Sequence, residues 1–178
     1  MHMPYSFKWR LLHRLKDGVT AARWMGVAVG QDCRIYSGDF GTEPWLVTIG
    51  DHVTVSIDVH FLVHDGVGWL LSDDRGRRYR YGRISVGDDV FIGAGTIIMP
   101  GVKIGNRCVV GSGSVITRSV PDNSVVFGNP ARVASSFDEL MTRIETWSAE
   151  TEMFGSSRRE RIDSVVDDHF RPEMPRLQ

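Results

Sequence analysis

From Val86 onward an aliphatic residue returns at every sixth position, at Val86, Ile92, Ile98, Ile104, Val110 and Ile116. Four positions after each stands a small or β-branched residue: Val90, Thr96, Val102, Cys108, Ser114 and Val120. Glycine directly follows four of the six aliphatics, at Gly87, Gly93, Gly105 and Gly111. A helix buries residues at a spacing of 3.6 and an exposed strand at a spacing of two, so neither explains a period of six. A short strand plus a turn does, with one large and one small side chain facing inward. Three such units close a triangular coil of about 18 residues, and stacked coils form parallel sheets that no single repeat sustains alone. Stacking predicts columns whose successive members are about 4.8 Å apart, with Val86 under Ile104, Ile92 under Val110 and Ile98 under Ile116. The fold class is an all-β solenoid.

The same phase runs upstream through Val29 and Ile35, then Ile49, Val55 and Phe61. Between Ile35 and Ile49 two extra residues fall within "SGDFGTEPW", rich in turn formers. Between Phe61 and Val86 the register is restored by removing residues 65–83, which reads as a loop inserted into the coil. His64 is the last residue before it leaves.

The ends read differently. Residues 7–16, "FKWRLLHRLK", read as a short helix covering the open first coil within an N-terminal capping segment, 1–26, with a basic membrane-surface helix as the alternative. The solenoid occupies 27–134. A helical extension, 135–178, opens with "SSFDELMTRIETW", where Ser136 and Glu139 have the spacing of a capping box. A second helix is expected from about Ser157 to His169, and a loose tail past Arg171.

Twenty-one basic and 22 acidic residues leave a net charge of −1, which gives the whole chain no attraction for nucleic acid or an anionic membrane. Cys33 and Cys108 lie far from each other and from any zinc-type spacing, so both read as reduced thiols. No apolar run approaches the roughly 20 residues of a membrane span, and the first residues lack a secretory apolar stretch. The expectation is a cytoplasmic protein with no stable membrane insertion.

The runs "VTIGDHVTVSIDVHFLVHDG" and "ISVGDDVFIGAGTIIMPGVKIGNRCVVGSGSVITRSVPDNSVVFGNPARV" resemble the hexapeptide-repeat acyltransferases. They are most similar to the sugar O-acetyltransferases of polysaccharide biosynthesis and to the xenobiotic and galactoside acetyltransferases. The resemblance covers about residues 27–134. It implies left-handed winding of the β-helix, a homotrimer with active sites between subunits, acetyl-CoA as acyl donor with no metal, and a small sugar or sugar-linked acceptor.

The family's catalytic histidine falls on His64, in "HDG". A sugar hydroxyl attacks a thioester only as its proton is removed, and an imidazole of ordinary pKa near 6.5 suits that work. Asp65 and Glu43 are acidic candidates for orienting the imidazole or gripping acceptor hydroxyls. His60 is either a second active-site group or a coil side chain. The resemblance makes the Ala94 backbone N–H in "FIGAG" the donor to the carbonyl oxygen on which charge builds. It assigns Gly93, Ala94, Ser112 and Gly113 to the path of the pantetheine arm, where small residues allow close approach. Thr117, Arg118 and Arg132 match positions that contact CoA phosphates, which guanidinium groups suit by charge and shape.

The inserted loop holds five arginines, at 75, 77, 78, 80 and 83, against three aspartates, with Trp69, Tyr79 and Tyr81 among them. It is either a cover over the acceptor, favouring one that carries phosphate, or a solvated charged hairpin. The competing functions are a xenobiotic acetyltransferase, a non-catalytic solenoid scaffold, and a metal-dependent hydratase resembling the γ-type carbonic anhydrases. The last needs three histidine ligands, and His60 and His64 are spaced by four rather than that family's five.

Overall fold

The computed structural model describes residues 17–167 and 169–171. The expected helix over 7–16 and the tail past Arg171 therefore lie outside the described residues. The chain divides into two compact units, Met1–Leu140 and Met141–Gln178.

In the first unit the chain visits three sheets in turn, and neighbouring passes are parallel. The first sheet stacks Ala28–Val29, Val47–Ile49, Ile84–Val86 and Lys103–Ile104. The second stacks Arg34–Ile35, Thr54–Val55, Val90–Ile92, Cys108–Val110 and Ser124–Gly128. The third stacks His60–Phe61, Ile97–Ile98 and Val115–Ile116. Each column required by the six-residue period is present: Val86 pairs with Ile104, Ile92 with Val110, and Ile98 with Ile116. Upstream, Ile49 pairs with Val86, Val55 with Ile92 and Phe61 with Ile98, so the register passes unbroken across the insertion.

The inward positions are sealed. Ile92, Ile98, Ile104 and Val110 expose nothing, and the companion residues Val90, Thr96, Val102, Cys108, Ser114 and Val120 are buried too. Burying a side chain of this size contributes roughly 1.5–3 kcal/mol. The two hydroxyls among these companions are satisfied within their own turns: Thr96 Oγ1 donates to Gly93 O and Ser114 Oγ to Gly111 O.

One corner of the coil is braced by a feature the aliphatic period does not announce. Asp51, Asp88, Asn106 and Asp122 stand between the first and second sheets, and each side chain accepts a backbone N–H from the preceding coil, at 2.7–2.9 Å. The residues that follow, His52, Asp89, Arg107 and Asn123, have φ of 54–57°. His52 Nδ1 lies 2.7 Å from Asp89 Oδ1 at this corner, which gives it a structural part.

Helix Gly18–Met25 packs on strands Ala28–Val29 and Arg34–Ile35, burying Ala21, Ala22 and Met25. Asp17 caps it by accepting the Thr20 N–H at 2.9 Å. After Gly128 the chain reverses through a cis Asn129–Pro130 bond into Ala131–Ser136, antiparallel to Ser124–Gly128. Helix Phe137–Ile144 follows, opened by the reciprocal Ser136 and Glu139 bonds that its sequence requires.

Within the second unit, Ser157 and Glu160 cap helix Arg158–Asp163. It is shorter than the stretch to His169 expected from sequence. Ser164 Oγ donates back to Arg161 O, the β-branched Val165 and Val166 follow, and Asp167 accepts the His169 N–H. No helix among the described residues is long and apolar enough to cross a membrane.

Candidate functional site

His64 stands just past the C-terminal end of strand His60–Phe61, where the chain leaves the third sheet. Sequence spacing places it before the inserted loop, but the structure makes it part of that loop's first strand. His64–Asp65 pairs antiparallel with Arg80–Tyr81, His64 opposite Tyr81 and Asp65 opposite Arg80. The insertion is therefore a hairpin whose base is anchored by the Gly82 N–H donating to Val63 O at 2.8 Å.

Glu43 reaches His64 because residues 39–43 run alongside 60–64 in a parallel register offset by 21. Asp39 bridges His60, the Phe40 ring lies 5.2 Å from the Phe61 ring, and Glu43 Oε2 lies 3.0 Å from His64 Nδ1. The two extra residues of "SGDFGTEPW" thus deliver a carboxylate to the histidine. Thr42 Oγ1 donates to Glu43 Oε1 at 2.7 Å and fixes the carboxylate from its other side. An ionised carboxylate only accepts, so the shared proton rides on Nδ1 and the lone pair is left on Nε2. Nε2 has no hydrogen-bond partner among the described residues, and the side chain is 41% exposed against 19% for Glu43.

Asp65, the other acidic candidate, turns away into the hairpin, where its Oδ1 accepts the Val67 N–H at 2.9 Å. The same register that joins Glu43 to His64 joins Asp39 Oδ2 to His60 Nδ1 at 2.6 Å. This second imidazole–carboxylate pair was not foreseen, although the equal offset of 21 between 39 and 60 and between 43 and 64 is visible once the coils are aligned.

Gly93, Ala94, Ser112 and Gly113 gather on a different edge, the corner between the second and third sheets. There the Gly113 N–H donates to Ala94 O at 2.8 Å and the Gly95 N–H to Ile57 O at 3.1 Å. The Ala94 N–H, between these bonds, has no partner among the described residues. Gly93 must be glycine for packing: a Cβ there would stand 2.6 Å from Ser112 N. Ala94 lies before the N-terminal end of a third-sheet strand and His64 beyond the C-terminal end of the strand beneath it. One chain accordingly does not bring His64 and Ala94 together.

Thr117, Arg118 and Arg132 do come together. They line a cleft of about 240 Å³ with apolar walls that include Val120, Pro121 and Val133. Arg132 Nη1 donates to Ala131 O at 2.9 Å, and Arg118 makes no ion pair among the described residues. This cleft leaves the third sheet at the same end as His64, two coils further along the stack. Among the described residues no three of His, Cys, Asp and Glu converge as a metal-binding group. Cys108 is buried, which holds its thiol above the ordinary range, with Asp122 adding to the rise.

Residues 83–118 match the family model described as bacterial transferase hexapeptide (six repeats). Protein CapG of Staphylococcus aureus is 47% identical over 125 residues, which cover 68% of this chain and 73% of CapG. The galactoside O-acetyltransferase of Escherichia coli (strain K12) is 34% identical over 97 residues, covering 54% of this chain and 47% of that protein. The chain thus spans about half the length of that relative. The crystal structure of a hexapeptide-repeat-containing acetyltransferase from Vibrio cholerae superposes with a TM-score of 0.51 at 27% identity, over 67% of this chain and 79% of that one.

Proposed function

The chain belongs to the bacterial hexapeptide-repeat transferase family, and from that premise we propose that it transfers an acetyl group from acetyl-CoA to a sugar hydroxyl, with His64 as general base. The observation that carries this reading is the 3.0 Å contact between His64 Nδ1 and Glu43, which orients the imidazole and leaves Nε2 unpartnered. Galactoside O-acetyltransferases among the relatives support a sugar acceptor.

The reaction is direct. Nε2 removes the hydroxyl proton as the oxygen attacks the thioester carbonyl carbon, so the C–O bond forms while negative charge collects on the carbonyl oxygen. A fixed backbone N–H at that oxygen stabilises the charge, and Ala94 supplies one with no competing partner. Collapse breaks the C–S bond, and the leaving thiolate takes the proton from the imidazolium, giving the acetyl ester and CoA. Glu43 is a positioning residue, while Asp65 starts the hairpin rather than serving the imidazole.

Since His64 and Ala94 occupy opposite ends of the third sheet, the reading needs a neighbouring subunit to supply one of them. A homotrimer of left-handed coils does so, each groove lying between the His64 end of one chain and the Ala94 corner of the next. The exposed Ile57, Leu62 and Phe91 on the coil surface support such a neighbour. Gly93, Ser112 and Gly113 then border the pantetheine arm, and Thr117, Arg118 and Arg132 take CoA phosphates at the cleft they line. Catalysis is assigned to the coil domain, 27–134, and a cytoplasmic location suits a donor such as acetyl-CoA.

Thiol release from acetyl-CoA over a panel of free and conjugated sugars tests the proposal. We expect turnover of at least one sugar, and a loss of about 10²–10⁴-fold in His64→Ala, the range for a general base. A His64→Ala protein as active as the parent would remove His64 from the mechanism.

A further inference from the structure

The hairpin that departs at His64 has a surface that neither the coil nor the transfer chemistry requires. On its returning arm Arg77, Tyr79 and Tyr81 stand at alternate positions leading into the strand Arg80–Tyr81. Their side chains form a line leading to the imidazole. The Tyr81 ring lies 5.7 Å from the His64 ring, and Tyr79 lies 6.2 Å from Tyr81 and within 11° of parallel. The Arg77 guanidinium is 5.1 Å from the Tyr79 ring and 5.9 Å from Trp69 on the outgoing arm. Trp69, Tyr79 and Tyr81 are 72%, 65% and 53% exposed, so the line is open to solvent along its length.

Beyond the Arg77–Trp69 contact between its arms, the hairpin does not need this surface in order to close. Its arms are closed by other groups: Arg78 pairs with Asp73 at 2.6 Å and donates to Gly76 O, and a Cβ on Gly68 would run into Arg78 O. Arg75, Arg77, Arg80 and Arg83 make no ion pair among the described residues. The hairpin therefore presents, in order from the catalytic imidazole, two phenol rings, an uncompensated guanidinium and an indole beside the exposed Leu70 and Leu71.

A ligand matching that order has a ring with apolar faces near His64 and an anion one ring further out. We propose that the hairpin binds an acceptor sugar esterified with phosphate or diphosphate. The sugar ring lies along Tyr81 and Tyr79 with its reacting hydroxyl at His64, and the phosphate meets Arg77. Aromatic faces suit the apolar side of a sugar ring, and a forked guanidinium suits phosphate oxygens. A neutral sugar would leave the cation without an anion. A nucleotide conjugate would stack its base on Trp69, and a lipid conjugate would lay its chain along Leu70 and Leu71. Both share the sugar phosphate. The inference rests on the acetyltransferase reading for the hydroxyl at His64.

Calorimetry without acetyl-CoA tests it apart from catalysis, using glucose, galactose and N-acetylglucosamine, their 1-phosphates and their uridine diphosphate conjugates. At least one 1-phosphate should bind tenfold or more tightly than its parent sugar, with the advantage shrinking as salt rises. Arg77→Gln should bring the two within twofold. Further tightening by the uridine diphosphate conjugate, removed in Trp69→Ala, identifies the nucleotide form. Tightening instead on vesicles carrying a polyprenyl-phosphate sugar identifies the lipid form. Sugar phosphates that bind no better than sugars, or an Arg77→Gln protein that keeps the full difference, would overturn the proposal. Thiol release separates the two readings: acetylation indifferent to phosphate sinks the hairpin site alone, whereas phosphate-dependent binding without thiol release sinks the acetyltransferase reading alone.

Discussion

The coil stack and the hairpin obey different rules. In the stack the inward apolar residues meet inward apolar residues of the neighbouring coils, so Phe61, Ile98 and Ile116 form one column and share a single buried environment. In the hairpin, Tyr79 and Tyr81 are more than half exposed, and the two strands pair only with each other, in a sheet of two. The lesson is that repetition fixes the scaffold, while the imidazole–carboxylate pair sits where repetition is interrupted. His64 comes from one interruption and Glu43 from the other.

Stability measurements sharpen this contrast. The largest effect is expected within a column: Ile98→Ala should cost about 2–5 kcal/mol in urea unfolding, because a fully buried aliphatic leaves both its transfer energy and a cavity behind. Replacing residues 66–79 by an Asn-Gly turn should change stability by no more than about 1 kcal/mol, in keeping with surface changes, while abolishing preference for a phosphorylated acceptor. A trimmed protein that unfolds as readily as Ile98→Ala would erase the distinction between scaffold and hairpin.

A smaller effect comes from Cys108, deep in the second-sheet column. Burial raises its thiol above the ordinary range, so the folded state holds the proton more tightly than the unfolded chain. Its contribution is complete below the ordinary thiol range and is lost as pH rises through the raised value. The urea midpoint should therefore fall more steeply between about pH 8 and pH 10, around the ordinary thiol pKa, in the parent than in Cys108→Ala. Equal slopes would place that thiol in contact with water.

The scaffold was legible in the sequence because a column repeats its requirement at each pass. Val86, Ile92 and Ile98 predict their partners by position alone, and even the excursion between Phe61 and Val86 leaves the count intact. The bracing corner was less legible, since Asp51, Asp88, Asn106 and Asp122 act through hydrogen bonds to backbone rather than through hydrophobicity. His64 was found by resemblance, but its partner was not decided. Asp65 is adjacent in sequence, yet neighbouring strand residues point to opposite faces, and Glu43 wins by lying beside His64 on the neighbouring pass of the chain. The end of helix Arg158–Asp163 was missed for a similar reason: local hydrogen bonds, donated by the Ser164 hydroxyl and accepted by the Asp167 carboxylate, take over before the polar pattern ends.

The most direct measurement is a crystal structure of the protein with CoA and an acceptor sugar. The account predicts the CoA sulfur in the groove between subunits, with His64 Nε2 within about 3 Å of the acceptor hydroxyl and that oxygen about 3–3.5 Å from the position of the thioester carbon. CoA bound on another face, or an imidazole turned away from the sulfur with Glu43 released, would contradict it.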